Sequence, residues 1–147
     1  MSTADRIGYL LGKYGDLFLK GVGVTLLLAV VGTGIGLLLG LGLALLRNLK
    51  PTPQDSKFKS ILKIIAAGLA RIYIEVFRGT PMMVQAIIIY FGGKMIGIPW
   101  TYLVCGLFVI SINTTAYMAE IIRSGINGVD VGQTEASRSL GMSHLQT

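Results

Sequence analysis

From Gly21 to Leu46 the chain runs through 26 residues, GVGVTLLLAVVGTGIGLLLGLGLALL, without one charged side chain. About 20 helical residues suffice to cross a hydrocarbon core. In lipid, a helix is the one open-chain structure that satisfies every backbone polar group internally. The run therefore predicts a membrane-crossing helix, and the rest of the chain must be read in that solvent. Composition agrees, because charged residues make up 14% of the chain where soluble domains carry about 25%. Within the run, Gly32, Gly36 and Gly40 recur every fourth residue. They share one helix face and let another helix backbone come close, although the sequence does not say which helix.

The segment before the run, Met1–Lys20, carries Asp5, Arg6, Lys13, Asp16 and Lys20. The apolar run that follows is far longer than a signal h-region and closes on no A-x-A-like site. The first span is thus read as retained, over about 21–46, behind an N-terminal interfacial segment. After it, Arg47–Lys63 holds Pro51, Pro53 and five cations and reads as a solvent loop, since proline cannot continue a helix.

Ile64–Phe77 is apolar apart from Arg71 and Glu75, which with Arg78 lie three or four residues apart along one face. This predicts an amphipathic helix entering the membrane from the interface. Arg78-Gly79-Thr80-Pro81 interrupts it, because Pro81 disfavours helix at Thr80 and suits the first turn of a new one. The next apolar run, from Pro81 to Gly93, is too short to cross alone, so a second span is set at about 70–96. Gly97-Ile98-Pro99-Trp100 reads as a turn, with Trp100 and Tyr102 suited to a membrane interface. A third span follows at about 101–122. It contains Asn113, Thr114 and Thr115, which in hydrocarbon seek partners on other helices. The polar tail 123–147 reads as short helices joined at glycines.

Charge sets the sidedness. The stretch Arg47–Arg78 holds seven Lys and Arg, and the turn between spans two and three holds only Lys94. Cytoplasmic loops carry the excess of positive charge. The reading is a multi-pass protein with its N-terminus outside, a cytoplasmic loop over 47–69, and residues 123–147 in the cytoplasm. On a soluble chain the net charge of +6 would suggest nucleic acid. Here it is spent on topology, and no nucleic-acid partner is expected.

Catalytic chemistry is sparse. One cysteine, Cys105, and one histidine, His144, make neither a disulfide nor a metal site and offer no credible nucleophile–base pair. No phosphate-binding Gly-x-x-x-x-Gly-Lys-Ser/Thr occurs. The chain is read as no enzyme and as needing no cofactor. Glu120 and Arg123, three residues apart at the end of the third span, either snorkel to the interface or link to another helix and help set a gate. Arg78-Gly79-Thr80-Pro81 either shapes the inner mouth of a pathway or punctuates a helix start.

Three segments go further. They are Tyr73-Ile-Glu-Val-Phe-Arg-Gly-Thr-Pro-Met-Met-Val-Gln85, Ala116-Tyr-Met-Ala-Glu-Ile-Ile-Arg-Ser-Gly-Ile126 and Gly132-Gln-Thr-Glu-Ala-Ser-Arg-Ser-Leu-Gly-Met142. In this order and spacing they resemble the inner-membrane permeases of ABC importers for polar amino acids. The resemblance implies an all-α, polytopic transmembrane helical bundle with three spans here and about five in the family. It also implies a cytoplasmic coupling helix of pattern Glu-Ala-Ala-x-x-x-Gly, met here by Glu135-Ala136-Ser137-x-x-x-Gly141. Gly132, Gln133, Glu135, Ala136, Ser137 and Gly141 would form the ATPase-coupling loop. The small Ala136 and Ser137 permit close docking, Gly141 permits a turn, and Glu135 can accept a hydrogen bond near a helix start.

The resemblance further implies separate ATPase subunits, a second permease copy or paralogue, and an extracytoplasmic amino-acid-binding protein, all working in membrane lipid. The family's following Ile-x-x-Pro would fall beyond Thr147, so the chain is expected to be truncated within its coupling loop. The competing reading is a small structural or channel-forming membrane protein that oligomerises through its glycine faces without an ATPase.

Overall fold

The computed structural model describes residues 3–143 and 146–147; Met1, Ser2, His144 and Leu145, and with them the lone histidine, lie outside the described residues. Among the described residues there are five helices and no strand: α1 (Thr3–Arg47), α2 (Lys57–Gly79), α3 (Met82–Met95), α4 (Tyr102–Asn127) and α5 (Val131–Ser139). The all-α reading is met. Among the described residues, α1 and α4 are both long and apolar enough to cross a membrane, and α3 is apolar but short.

The element boundaries differ from the sequence reading in three places. First, α1 does not begin near Gly21. It is one helix of 45 residues, about 68 Å long at 1.5 Å per residue. No proline intervenes in Thr3–Lys20, its scattered Asp, Arg and Lys are tolerated, and the helix runs through Gly8, Gly12 and Gly15. Second, the irregular part of the first connection is shorter than expected. Pro51 and Pro53 lie in it, and α2 starts at Lys57 behind Ser56. Asp55 closes this connection by accepting from the Thr52 amide at 2.8 Å and by pairing with Lys59 and Lys63. Third, the stretch 70–96, read from sequence as one span, is two helices, divided at the interruption expected at Pro81. Thr80 and Pro81 are both extended (φ/ψ −116/142 and −63/132), as expected of a residue before proline and of a proline at a helix start.

The glycine stripe finds its partner in α4. Gly32, Gly36, Gly40 and Ala44 are the buried residues of α1. A methyl built on Gly32 would lie 2.6 Å from the Ile110 side chain, on Gly36 2.6 Å from Thr114 Cβ, and on Gly40 2.7 Å from Met118 Cβ. Each step of four along α1 is answered by a step of four along α4, in the same direction. The two helices therefore run parallel in near-backbone contact. Gly34 and Gly42, which point away, have nothing within 4 Å.

At the far end of this pair α2 joins. Ala44, Ile74 and Ala119 form a small buried cluster, one residue from each of three helices, with Leu43, Tyr73 and Ile122 around it. Tyr73 also donates its hydroxyl to the Ile112 carbonyl of α4 at 2.7 Å. Most of the outer surface is apolar and exposed, including Leu26, Val30, Leu38, Ile72, Ile88 and Phe91. That is the pattern of a protein whose solvent on those faces is lipid.

Candidate functional site

Three features lie outside simple packing, and each is placed by helix geometry. The first is a charge cluster just beyond the Ala44–Ile74–Ala119 contact. Arg47 is three residues past Ala44, Arg78 four past Ile74, and Glu120 and Arg123 one and four past Ala119. Once the apolar trio fixes the three helices, the next turn brings these charges together. Arg47 donates to Glu120 and forms an ion pair with it. The Arg123 Nε reaches both Glu120 oxygens at 3.2 Å. Arg78 lies 3.9 Å from Glu120, with its guanidinium 5.5 Å from the Tyr117 ring centroid.

One carboxylate thus holds three guanidinium groups from three helices. Arg47, Arg78, Tyr117 and Glu120, with Ile74, Glu75 and Gly79, line an open cleft of about 470 Å³. The site carries more positive than negative charge, and Arg78 is its most exposed and most loosely held member. Of the two sequence readings of Glu120, the interhelical link is the one observed. Arg71 and Glu75 are exposed and make no ion pair among the described residues.

The second feature is the α2–α3 break. Pro81 has no N–H, and the extended Thr80 lets the helix hydrogen-bond ladder lapse, so the carbonyls of Phe77 and Thr80 lose helical partners. Gln85 fills the gap. Its Nε2 donates to Phe77 O at 3.0 Å, to Thr80 O at 3.1 Å and to Thr80 Oγ1 at 2.7 Å. Asn113 of α4 completes the network, donating to Gln85 Oε1 at 3.1 Å and to Phe77 O at 3.3 Å. Gln85 and Asn113 are each 8% exposed, so these bonds are made where water does not compete. Thr80 also donates to Val76 O at 2.8 Å.

The third feature is α5. Asp130 caps its start, accepting from the Gly132 amide at 2.7 Å. The role given to Glu135 at a helix start therefore passes to Asp130, because the helix begins at Val131 and Glu135 lies inside it. At its other end Gly141 has φ +79. Its amide donates to Arg138 O at 3.0 Å and that of Met142 to Ser137 O at 3.2 Å. This is the Schellman closure, which favours glycine in the left-handed position.

Between these caps Ser137 and Ser139 turn their hydroxyls onto the Gln133 and Glu135 carbonyls. No residue of α5 is buried, so its Glu135, Ala136 and Arg138 stand free of the bundle. The glycine-jointed tail is only partly as read, since Gly125 and Gly132 lie inside helices and only Gly128 and Gly141 end one.

The structure brings Arg78, Glu120 and Arg123 into one cluster and Gly79, Thr80 and Pro81 into the helix break beside it. The residues of α5 form a separate site. Sequence reasoning missed Arg47, Gln85 and Asp130. Each left a signal: Arg47 is the first charge after the long apolar run, Gln85 is four residues past the helix-breaking proline, and Asp130-x-x-Gln133 is a capping pattern.

Residues 60–147 match the family described as "Binding-protein-dependent transport system inner membrane component". The chain is 38% identical over 129 residues to the probable amino-acid ABC transporter permease protein YckA of Bacillus subtilis, covering 88% of this chain and 52% of that protein. It is 38% identical over 125 residues to the arginine transport system permease protein ArtQ of the same organism, covering 84% and 52%. To the octopine transport system permease protein OccM of Rhizobium meliloti it is 37% identical over 136 residues, covering 86% and 51%.

A solved chain described as "Crystal structure of an amino acid ABC transporter with histidines" superposes with a TM-score of 0.74 at 41% identity, covering 92% of this chain and 57% of that one. The chain spans about half the length of the curated relatives it matches.

Proposed function

The chain belongs to the inner-membrane components of binding-protein-dependent transport systems, and from that premise we infer that it is permease sequence of an ATP-driven importer of amino acids. Its partners would be ABC ATPase subunits, a second permease copy or paralogue, and an extracytoplasmic amino-acid-binding protein. ATP hydrolysis would belong to the ATPases. The reading puts the Arg47–Glu120 end and α5 in the cytoplasm and the N-terminus outside. It is supported by the contrast of seven cations in Arg47–Arg78 against the single Lys94 between Pro81 and Tyr102 and by the parallel course of α1 and α4, which an odd number of crossings between them requires. The second crossing would combine the end of α2 with α3, since α3 has 14 residues and reaches only about 21 Å.

The observation that carries the coupling role is α5 itself. It is a short helix capped at both ends, with no residue buried in its own bundle, and it follows the ion-paired end of α4 by a few residues. A helix so finished and so exposed suits the cleft of a separate subunit. Gly132, Gln133, Glu135, Ala136, Ser137 and Gly141 form or close it, while Arg78, Gly79, Thr80, Pro81, Glu120 and Arg123 couple the helix ends behind it. The oligomeric channel reading loses its motive, because the glycine face it would use is already occupied by α4.

The test is Gly141→Val beside Gly141→Asn in the full-length, assembled transporter. A branched residue at φ +79 costs on the order of 1–2 kcal/mol, enough to undo a nine-residue helix end, whereas Asn tolerates that conformation. Transport and ATPase association should fall with Val and persist with Asn at equal membrane insertion. Equal behaviour of Val and wild type would remove the coupling assignment.

A further inference from the structure

At the end of the bundle opposite the arginine cluster, α3 carries an uncovered trough. Met83, Ala86, Ile87 and Phe91 make its apolar floor, and Tyr90, Lys94 and Tyr102 close one end. Tyr90 and Tyr102 stack with ring centroids 5.1 Å apart, joining α3 to the first turn of α4. The Lys94 ammonium sits 4.7 Å from the Tyr90 ring centroid and makes no ion pair with any described residue. The sequence between Glu75 and Glu120 contains no acidic side chain, so the local charge is uncompensated.

Position and length say what fits. From Tyr102 to Glu120 along α4 is 18 residues, about 27 Å, close to a hydrocarbon core of roughly 30 Å. Lys94 and the two phenols therefore stand at one membrane interface when Glu120 stands at the other. Trp100 lies beside them, as interfacial aromatics do. The trough from Met83 to Lys94 is 11 residues long, about 16 Å, which is one leaflet. It is apolar at its deep end and cationic with two hydroxyls at its interfacial end.

We propose that this trough is a binding site for an anionic phospholipid of the leaflet opposite the arginine cluster. The lipid phosphate meets Lys94 and the Tyr90 and Tyr102 hydroxyls, and an acyl chain lies along Met83, Ala86 and Ile87. A protein helix in the same place would have to bury a carboxylate to answer Lys94. A phosphodiester with two acyl chains answers both ends of the trough at once. The proposal goes beyond the transport reading and needs that the bundle spans a bilayer with this face of α3 turned to lipid.

The experiment uses the full-length chain purified in detergent and exposed to phosphatidylglycerol or phosphatidylcholine, with bound lipid counted by native mass spectrometry. Wild type should retain phosphatidylglycerol in preference. Lys94→Gln should lower that retention about five-fold, the effect of one interfacial cation. Tyr90→Phe with Tyr102→Phe should lower it further, and Lys57→Gln, at the other interface, should leave it unchanged.

A fluorophore on Met83→Cys in vesicles should be quenched more by brominated phosphatidylglycerol than by brominated phosphatidylcholine, and Lys94→Gln should abolish the difference. Undiminished retention in Lys94→Gln, or a label at position 83 shielded from both lipids by a protein neighbour, would overturn the proposal.

Discussion

Substituting the glycines of α1 one at a time gives a sharp test of how the bundle holds together. Carbon atoms rest about 3.5–4 Å apart, and the methyl of Gly36→Ala would start 2.6 Å from Thr114 Cβ. An overlap of about 1 Å cannot be relieved by turning a side chain, because the obstructing atom is attached to the α4 backbone. The helices must part, and contacts along the whole Gly32–Ala44 seam weaken. Overpacking of this kind costs about 1–3 kcal/mol.

The same reasoning applies to Gly40→Ala, where the obstacle is Met118 Cβ at 2.7 Å, while at Gly32→Ala the Ile110 Cγ2 at 2.6 Å can turn in part but its Cβ at 3.2 Å still crowds the methyl. Gly34→Ala and Gly42→Ala meet nothing within 4 Å, so they add helix propensity and should be neutral or stabilising by up to about 1 kcal/mol. Titration of the full-length protein with a denaturing detergent, followed by circular dichroism, would rank the five variants. The expected order separates 32, 36 and 40 from 34 and 42. If Gly36→Ala and Gly34→Ala unfolded together, the parallel α1–α4 seam would be the wrong account of the fold.

Two further outcomes follow from the polar groups. Gln85→Leu and Asn113→Leu each strip a donor from the Phe77 carbonyl, so in a double-mutant cycle on the same unfolding assay they should be coupled by about 0.5–2 kcal/mol. Additive effects would mean that the amides do not act together. In the α1–α2 connection, the hydrogen bond from Lys63, then that from the Thr52 amide, holds Asp55 down to about 2. A carboxyl depressed in the folded state adds stability above its unfolded pKa of about 3.9, and that stability is lost as pH falls through the folded value. Pepsin should therefore cut residues 48–56 faster in wild type as pH drops from about 4 toward 2. The ratio to Asp55→Asn should approach one at the acid end, and a ratio independent of pH would count against the Asp55 clasp.

The fold was legible where a single physical rule decides. The 26-residue charge-free run demanded a membrane helix, and the four-residue glycine spacing demanded a close helix neighbour. Pro81 marked the break between α2 and α3 because it removes a donor regardless of context. The start of α1 was not legible, because the rule that locates a span concerns charge and lipid, while the rule that ends a helix concerns proline, glycine and caps. Between Thr3 and Lys20 the first rule says stop, while the second finds no proline and only Gly8, Gly12 and Gly15, which the helix runs through. For the same reason the connection before α2 looked longer than it is: Lys57, Lys59 and Lys63 announce water, but they are good helix formers.

The candidate site shows a different limit. Glu120 and Arg123 are neighbours in sequence, so their pairing could be read directly. Arg47 lies 73 residues from Glu120, and only the register of α1 on α4 brings them together. That register is set by Gly32, Gly36 and Gly40 against Ile110, Thr114 and Met118, so the apolar seam decides which charges meet. The arginines in turn close the seam at its open end, where Ala44, Ile74 and Ala119 supply little apolar area and where a lone buried carboxylate would be costly. Packing and charge are therefore not alternative explanations of this corner of the molecule. The glycines choose the partners, and the ion pairs hold three helix ends together at the place from which α5 departs.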